Sequence, residues 1–228
     1  MKRSQVNDII RQADAFLKRL RFELPPFARW TAEDWRAKGP EAAEIVENQL
    51  GWDITDFGSG NFEKVGLFLF TLRNGAVENL KTGCGKVYAE KAMIVLPEQV
   101  TPMHFHWNKM EDIINRGGGT LAIELHNAAP DETLADTDVV VSMDGVRRTV
   151  PAGTIVELAP GESITLETYM YHAFWAVGEP TLVGEVSTVN DDAADNRFLV
   201  PVGRFPTIEE DELPLRLLVG DYESYYQG

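Results

Sequence analysis

Residues 101–112 read TPMHFHWNKMED, and His104 and His106 stand two positions apart in them. Side chains alternate across a strand, so both imidazoles leave the same face and one metal ion can reach both. Glu111 follows after a short turn, where a returning strand brings its carboxylate beside the histidines. His172 arrives from a later strand, in YMYHAFW at 169–175. Three imidazoles and one carboxylate suit Mn, Fe, Co, Ni or Zn and leave coordination positions open for water or substrate. A His-x-His pair alone is more often ordinary core or surface; the glutamate and the later histidine carry the assignment of one divalent ion per chain. His126, in ELHNAAP, falls outside this set and reads as a surface or loop residue.

From about residue 53 the chain runs in short stretches rich in Val, Ile, Phe and Leu, separated by Asn74-Gly75, Gly83-Cys84-Gly85 and Gly117-Gly118-Gly119. The pattern predicts strands at 65–72, 87–96, 103–106, 112–115, 120–125, 138–143, 146–150, 154–158, 163–168, 172–177 and 182–188. So many antiparallel segments predict an all-β sandwich or small barrel with a ligand cavity between its sheets. Upstream, Val6, Ile9, Ile10, Ala13, Phe16, Leu17 and Leu20 recur at helical spacing, with Ser4 as the expected N-cap and Pro25-Pro26 as the stop. Thr31 caps a short second helix, and Pro40 and Gly51 bracket a third. The expected organisation is one domain: a helical segment at 1–52 packed on the outside, a barrel at 53–204, and a tail at 205–228 serving as return strand, docking arm or dimer contact.

The chain has 228 residues, enough for a sizeable core, with 44% hydrophobic and 25% charged residues and no apolar run long enough to span a bilayer. Cys84 is the only cysteine, so an intrachain disulfide and a thiolate cluster are excluded. The formal charge of -15 repels phosphate backbones and offers anionic lipid no basic patch, which disfavours nucleic acid, a DNA-reading helix pair and membranes as partners. MKRSQVNDII shows no signal-peptide core, so a cytoplasmic location is expected. An uncovered sheet edge would invite uncontrolled pairing, so a homodimer is expected.

The arrangement HFH, four residues, Glu111 and then Gly117 resembles the first motif of the cupin superfamily. PGESITLETYMYH, at 160–172, resembles the second, with a longer spacing from Gly161 to His172 than the usual short form. KVYAEKAMIV, HFHWNKMEDIINRGGGT, GEVSTVNDDAADNRF and GRFPTIEEDE are similar to the D-lyxose ketol-isomerase family of cupins, over most of the chain. The resemblance implies a cupin (jelly-roll) β-barrel with additional N-terminal helices. It also implies bound Mn²⁺ and interconversion of D-lyxose with D-xylulose, with D-mannose and D-fructose as related sugars.

The residues suit that chemistry. Moving a carbonyl between C1 and C2 requires removing a proton from carbon, and a divalent ion stabilises the enediolate that results. Glu185, a carboxylate in the middle of the apolar strand TLVGEVST, is the expected base, unless it faces solvent on an edge strand. Lys109 shares the parity of Glu111 and would point toward the metal to polarise a substrate oxygen or pass a proton; as a plain hairpin residue it would be solvated. Asp191, Asp195 and Arg197 are candidates for hydrogen bonds to sugar hydroxyls, or are turn chemistry. Trp107, Phe174 and Trp175 are candidates for stacking on the ring, or are core. The same ligand set also serves dioxygenases and decarboxylases, and a cation can orient a sugar in a non-catalytic binding module, although no output segment is visible.

Overall fold

The computed structural model describes residues 1–203 and 205–228. Within them the alternating apolar stretches form β1 (Gly51–Thr55), β2 (Leu67–Arg73), β3 (Tyr88–Val95), β4 (Thr101–Phe105), β5 (Glu111–Ala128), β6 (Leu134–Ala135), β7 (Val139–Met143), β8 (Val146–Val150), β9 (Thr154–Leu158), β10 (Ser163–Leu166), β11 (Met170–Thr188) and β12 (Arg197–Phe198). The named strands pair antiparallel, in the order β1-β2-β3-β11-β5-β10-β7-β8, with β4, β6, β9 and β12 attached beside this path.

Two long strands organise the molecule. β5 and β11 pair with each other almost end to end. The first half of β11 also pairs with β4 and its second half with β3, while β5 passes from β10 to β9. Each therefore belongs to two layers, and the result is a jelly-roll of the cupin type whose strand order stays open. The expected breaks at Gly117–Gly119 and at 178–181 are not strand ends. The ladder continues through both as irregularities, so four predicted strands are two. The core lies between the layers, where Leu69, Met93 and Val183 of one meet Leu121, Ile123 and Phe174 of the other.

Outside the sheet, α1 (Arg3–Arg19) lays Val6, Ile10, Ala13 and Leu17 against Phe68, Phe70, Ala92 and Ile94, the outward side chains of β2 and β3. Full burial of a Val, Ile, Leu or Phe side chain here is worth about 1.5–3 kcal/mol. The N-cap of α1 is Lys2, not Ser4, whose N–H and hydroxyl both donate to the Asp211 carboxylate at 2.9 and 2.8 Å. Nor does Pro25-Pro26 stop this helix: it ends at Arg19, Arg21 turns at φ 57°, and Pro26 instead opens a 3-10 turn. Thr31 caps α2 (Ala32–Arg36) in a reciprocal box with Asp34, as its sequence position predicts.

Pro40 opens a 3-10 turn ahead of α3 (Ala43–Glu47). Gly51 is not a helix end but the first residue of β1, a strand the helical reading of 1–52 overlooked. Asn74-Gly75 separates β2 from β3 as expected, and the short helix α4 (Val77–Thr82) follows it before β3 begins. The tail crosses back over α1 and β1, bridges Lys2 through Glu209 and Trp52 through Leu218, and ends in α5 (Tyr222–Tyr225), where Tyr222 packs on Trp35. Among the described residues no helix is long and apolar enough to cross a membrane.

Candidate metal and catalytic centre

His104, on β4, lies directly opposite His172, on β11, and His106 follows at the end of β4. Their ring centroids are 4.2 Å apart for His104 and His172, 5.1 Å for His104 and His106, and 5.7 Å for His106 and His172. One ligand nitrogen from each falls within 4.8 Å of the other two. Each Nδ1 faces a main-chain carbonyl: Pro102 O at 2.8 Å from His104, Asp195 O at 2.6 Å from His106 and Met170 O at 3.0 Å from His172. A carbonyl only accepts, so every Nδ1 is a protonated nitrogen, and in the neutral ring it is Nε2 that carries the lone pair.

That lone pair is what a metal ligand offers. The Nε2 atoms of His106 and His172 are buried and have no hydrogen-bond partner among the described residues. Both face Glu111 Oε1, at 3.5 and 3.2 Å. Lone pairs converging on a carboxylate oxygen in a buried site repel unless a cation lies among them, so the three imidazoles fit a metal ion, with Glu111 placed to join them. Burial pushes the His104 imidazolium well below its ordinary value, and the neighbouring His172 and His106 act in the same direction. His106 is lowered by burial and by the Lys109 ammonium. Both are thus neutral and ready to ligate at neutral pH.

A chain of charge runs from this cluster. Glu111 Oε2 is 2.6 Å from Lys109 Nζ, which is 2.9 Å from Glu185 Oε1; Ser187 Oγ donates to that same oxygen at 3.2 Å. Burial alone would raise the Glu111 carboxyl, but Lys109 and His106 hold it well below the usual range. Burial would likewise lower Lys109, yet Glu111 and Glu185 outweigh it and keep the ammonium charged. Glu185 is only 4% exposed and turns inward rather than to solvent.

These groups line one cavity, with Phe57, Phe174 and Phe198 among its apolar walls. Other sequence candidates are placed elsewhere. Asp191 accepts from the N–H groups of Ala193 and Ala194, Asp195 from those of Asn108 and Lys109. Arg197 pairs with Glu132, as does the Trp107 indole, both through bonds of 2.8 Å. None of these four, nor Trp175, is among the described residues that line the cavity. His126 lies on β5 beside Glu124, at 2.9 Å.

Lys91 was overlooked. Its ammonium bonds Asn190 Oδ1 at 2.6 Å and stands 3.6 Å from Glu185, its cross-strand neighbour. The signal was present in KVYAEKAMIV, where alternation puts Lys91 on the buried face with Met93, an environment lysine seldom occupies without a task. Asn190, Asp192 and Phe198 carried no such mark.

The family model described as D-lyxose isomerase matches residues 1–222. Among curated relatives, the D-lyxose/D-mannose isomerase of Serratia proteamaculans is 51% identical over 227 residues, covering 97% of this chain and 98% of that protein. The D-lyxose/D-mannose isomerase of Escherichia coli O157:H7 is 48% identical over 228 residues, covering 99% and 100%. Among solved structures, the L-ribose isomerase of Cellulomonas parahominis with L-ribose superposes with a TM-score of 0.61 at 17% identity, over 92% of this chain and 98% of that one. That of Geodermatophilus obscurus gives 0.55 at 15%, over the same shares. At these identities the structural likeness is one of fold.

Proposed function

We propose that this chain, which belongs to the D-lyxose isomerase family, interconverts D-lyxose with D-xylulose and D-mannose with D-fructose. The observation that carries the reading is the meeting of His104, His106 and His172 with the Glu111–Lys109–Glu185 chain in one cavity. His104, His106, His172 and Glu111 would hold one divalent cation; this nitrogen and carboxylate set suits Mn, Zn, Fe, Co and Ni alike, and Mn²⁺ is proposed because the family resemblance implies it. Such a cation supplies positive charge where negative charge develops on the two adjacent sugar oxygens.

Glu185 takes the proton from C2 of the open-chain aldose, and the electron pair left behind forms the enediolate. The same carboxylic acid then returns its proton to C1, while a proton passes from the C2 oxygen to the C1 oxygen. Lys109 Nζ, held between Glu111 and Glu185, is placed to carry that second proton and to keep Glu185 aimed. Phe174 and Phe198 offer apolar faces to the C–H groups of the sugar, and burial excludes the water that would otherwise take up the abstracted proton. The proposal includes a homodimer, since β8 presents an exposed edge strand at the end of the sheet, and a cytoplasmic location, which rests on the likeness to sugar isomerases alone.

The test is a panel of aldoses assayed for ketose without oxygen. Chelator-stripped protein is expected to be inactive, and Mn²⁺ to restore conversion of D-lyxose and D-mannose. Full turnover by metal-free protein would remove the cation from the proposal, and absence of ketose from every aldose would remove the activity.

A further inference from the structure

We infer that Asp195 is a positioning residue that seats the metal ligand His106 with its main chain and the Lys109 ammonium with its side chain, and that it does not bind the sugar. This rests on the isomerase reading above, and it concerns a residue whose place in the loop after β11 first suggests a sugar contact.

The turn between β4 and β5 brings Lys109 inward and leaves Asn108 exposed, and the N–H groups of both lie outside the sheet ladder. Buried backbone donors need acceptors, and here one carboxylate supplies them. Asp195 Oδ1 accepts from Asn108 N at 2.9 Å and Asn108 Nδ2 at 3.1 Å; Oδ2 accepts from Lys109 N at 2.8 Å. Successive N–H groups converging on an anion form a small nest, and bonds to a charged acceptor are stronger than neutral ones. The main-chain carbonyl of Asp195 takes the Nδ1 proton of His106 at 2.6 Å, fixing the tautomer that leaves Nε2 free. Its own N–H donates to Asp191 O at 3.0 Å, which closes the loop on itself.

One residue therefore sets two distances: that of an imidazole nitrogen from its fellow ligands, and that of the Lys109 backbone from Glu185. The side chain is buried, both its oxygens are occupied by the turn, and it is absent from the described cavity lining. A proton-carrying ammonium tolerates little displacement, since an error of about 1 Å in a reacting group costs about 100-fold in rate. The carboxylate thus acts on turnover through Lys109, whereas the carbonyl that touches His106 survives any side-chain substitution.

The test is a double-mutant cycle on the metal-loaded protein, with Asp195→Asn and Lys109→Gln. Asparagine keeps size and one oxygen but sets an NH2 group against a backbone N–H. Asp195→Asn is expected to lower kcat for D-mannose by about 10- to 100-fold while KM moves less than about twofold and bound metal stays stoichiometric. In the Lys109→Gln background the same substitution is expected to change kcat by less than about twofold. Hydrogen exchange at the amides of 108 and 109 should rise in Asp195→Asn.

Equal losses in both backgrounds, loss of metal in step with activity, or a rise in KM alone would each overturn the inference. Should Asp195→Asn not fold, Asn108→Ala removes one of the three donors; a smaller kcat loss that vanishes with Lys109→Gln supports the role, and an additive one overturns it. If no aldose is isomerised even by the unsubstituted protein, the isomerase reading fails, while unchanged exchange at 108 and 109 sinks the seating role alone.

Discussion

Glu185 and Glu111 share one ammonium, Lys109, with contacts of 2.9 and 2.6 Å inside a site from which water is largely excluded. Only Glu111 also faces the imidazoles, so the two carboxylates differ in task although they differ little in chemistry. Glu185→Gln keeps the volume and a hydrogen-bonding oxygen but cannot accept a proton from carbon. It is expected to lower kcat by about 10²–10⁴-fold with metal content unchanged, read by ketose formation and elemental analysis. A Gln variant that turned over normally would move the base to another residue. At this scale the sequence was informative wherever strand parity applied: His104 and His106 share a face because the period of a strand is two. It was uninformative in the loop after β11. The order of residues there does not say where a side chain points, and the Asp191 carboxylate is taken up by the N–H groups of Ala193 and Ala194.

The element that brings His172 and Glu185 together is β11, and a regular strand would not do it. The two are an odd number of positions apart and would leave opposite faces. The inward set is Met170, His172, Phe174 and Ala176 before Gly178, then Val183, Glu185 and Ser187 after Pro180. Register shifts against β5 between Val177 and Thr181, and between Leu182 and Val183, switch the parity. The sequence marks these places only as breaks, because Gly117–Gly119 and Gly178–Pro180 carry turn residues. Whether a ladder resumes across them depends on the partner strand, which no local pattern encodes. Gly118 sits at φ 100°, and a Cβ there would lie 2.1 Å from Pro180 O. Gly118→Ala should lose about 2–3 kcal/mol in urea denaturation, clearly more than Gly60→Ala, which also has positive φ but open space around it. Equal losses at both sites would mean that the close approach of β5 and β11 adds nothing.

Across the whole molecule, the first and last segments of the chain fold as one unit. Arg3, 1% exposed, is held by Glu210 and Asp221 with bonds of 2.6–2.9 Å; Ser4 bonds Asp211, and Asn7 bonds Glu212 and Leu213. Acids so close to the start of α1 also complement the positive end of its dipole. Long-range pairing of this kind is illegible in the sequence, where the tail is only an acidic stretch with leucines. The bond to Arg3 lowers the Glu210 carboxyl below its ordinary value, and the Ser4 N–H does the same for Asp211. A depressed carboxyl contributes stability that is present above its unfolded value, near 4, and is lost as pH falls through the folded value. Below about pH 4 the tail is therefore expected to loosen from α1, seen as faster proteolysis within 205–228 while the barrel stays intact. Arg3→Met should show the same cleavage at neutral pH, at a cost of about 2 kcal/mol, less than for a fully buried pair because Glu210 stays wet. α1 covers the outer face of β2 and β3, whose inner face carries Leu69, Lys91 and Met93 into the cavity. A loosened tail should thus leave metal content intact and lower turnover only as far as β3 moves Lys91 against Glu185; unchanged turnover after cleavage would show that the clasp serves stability alone.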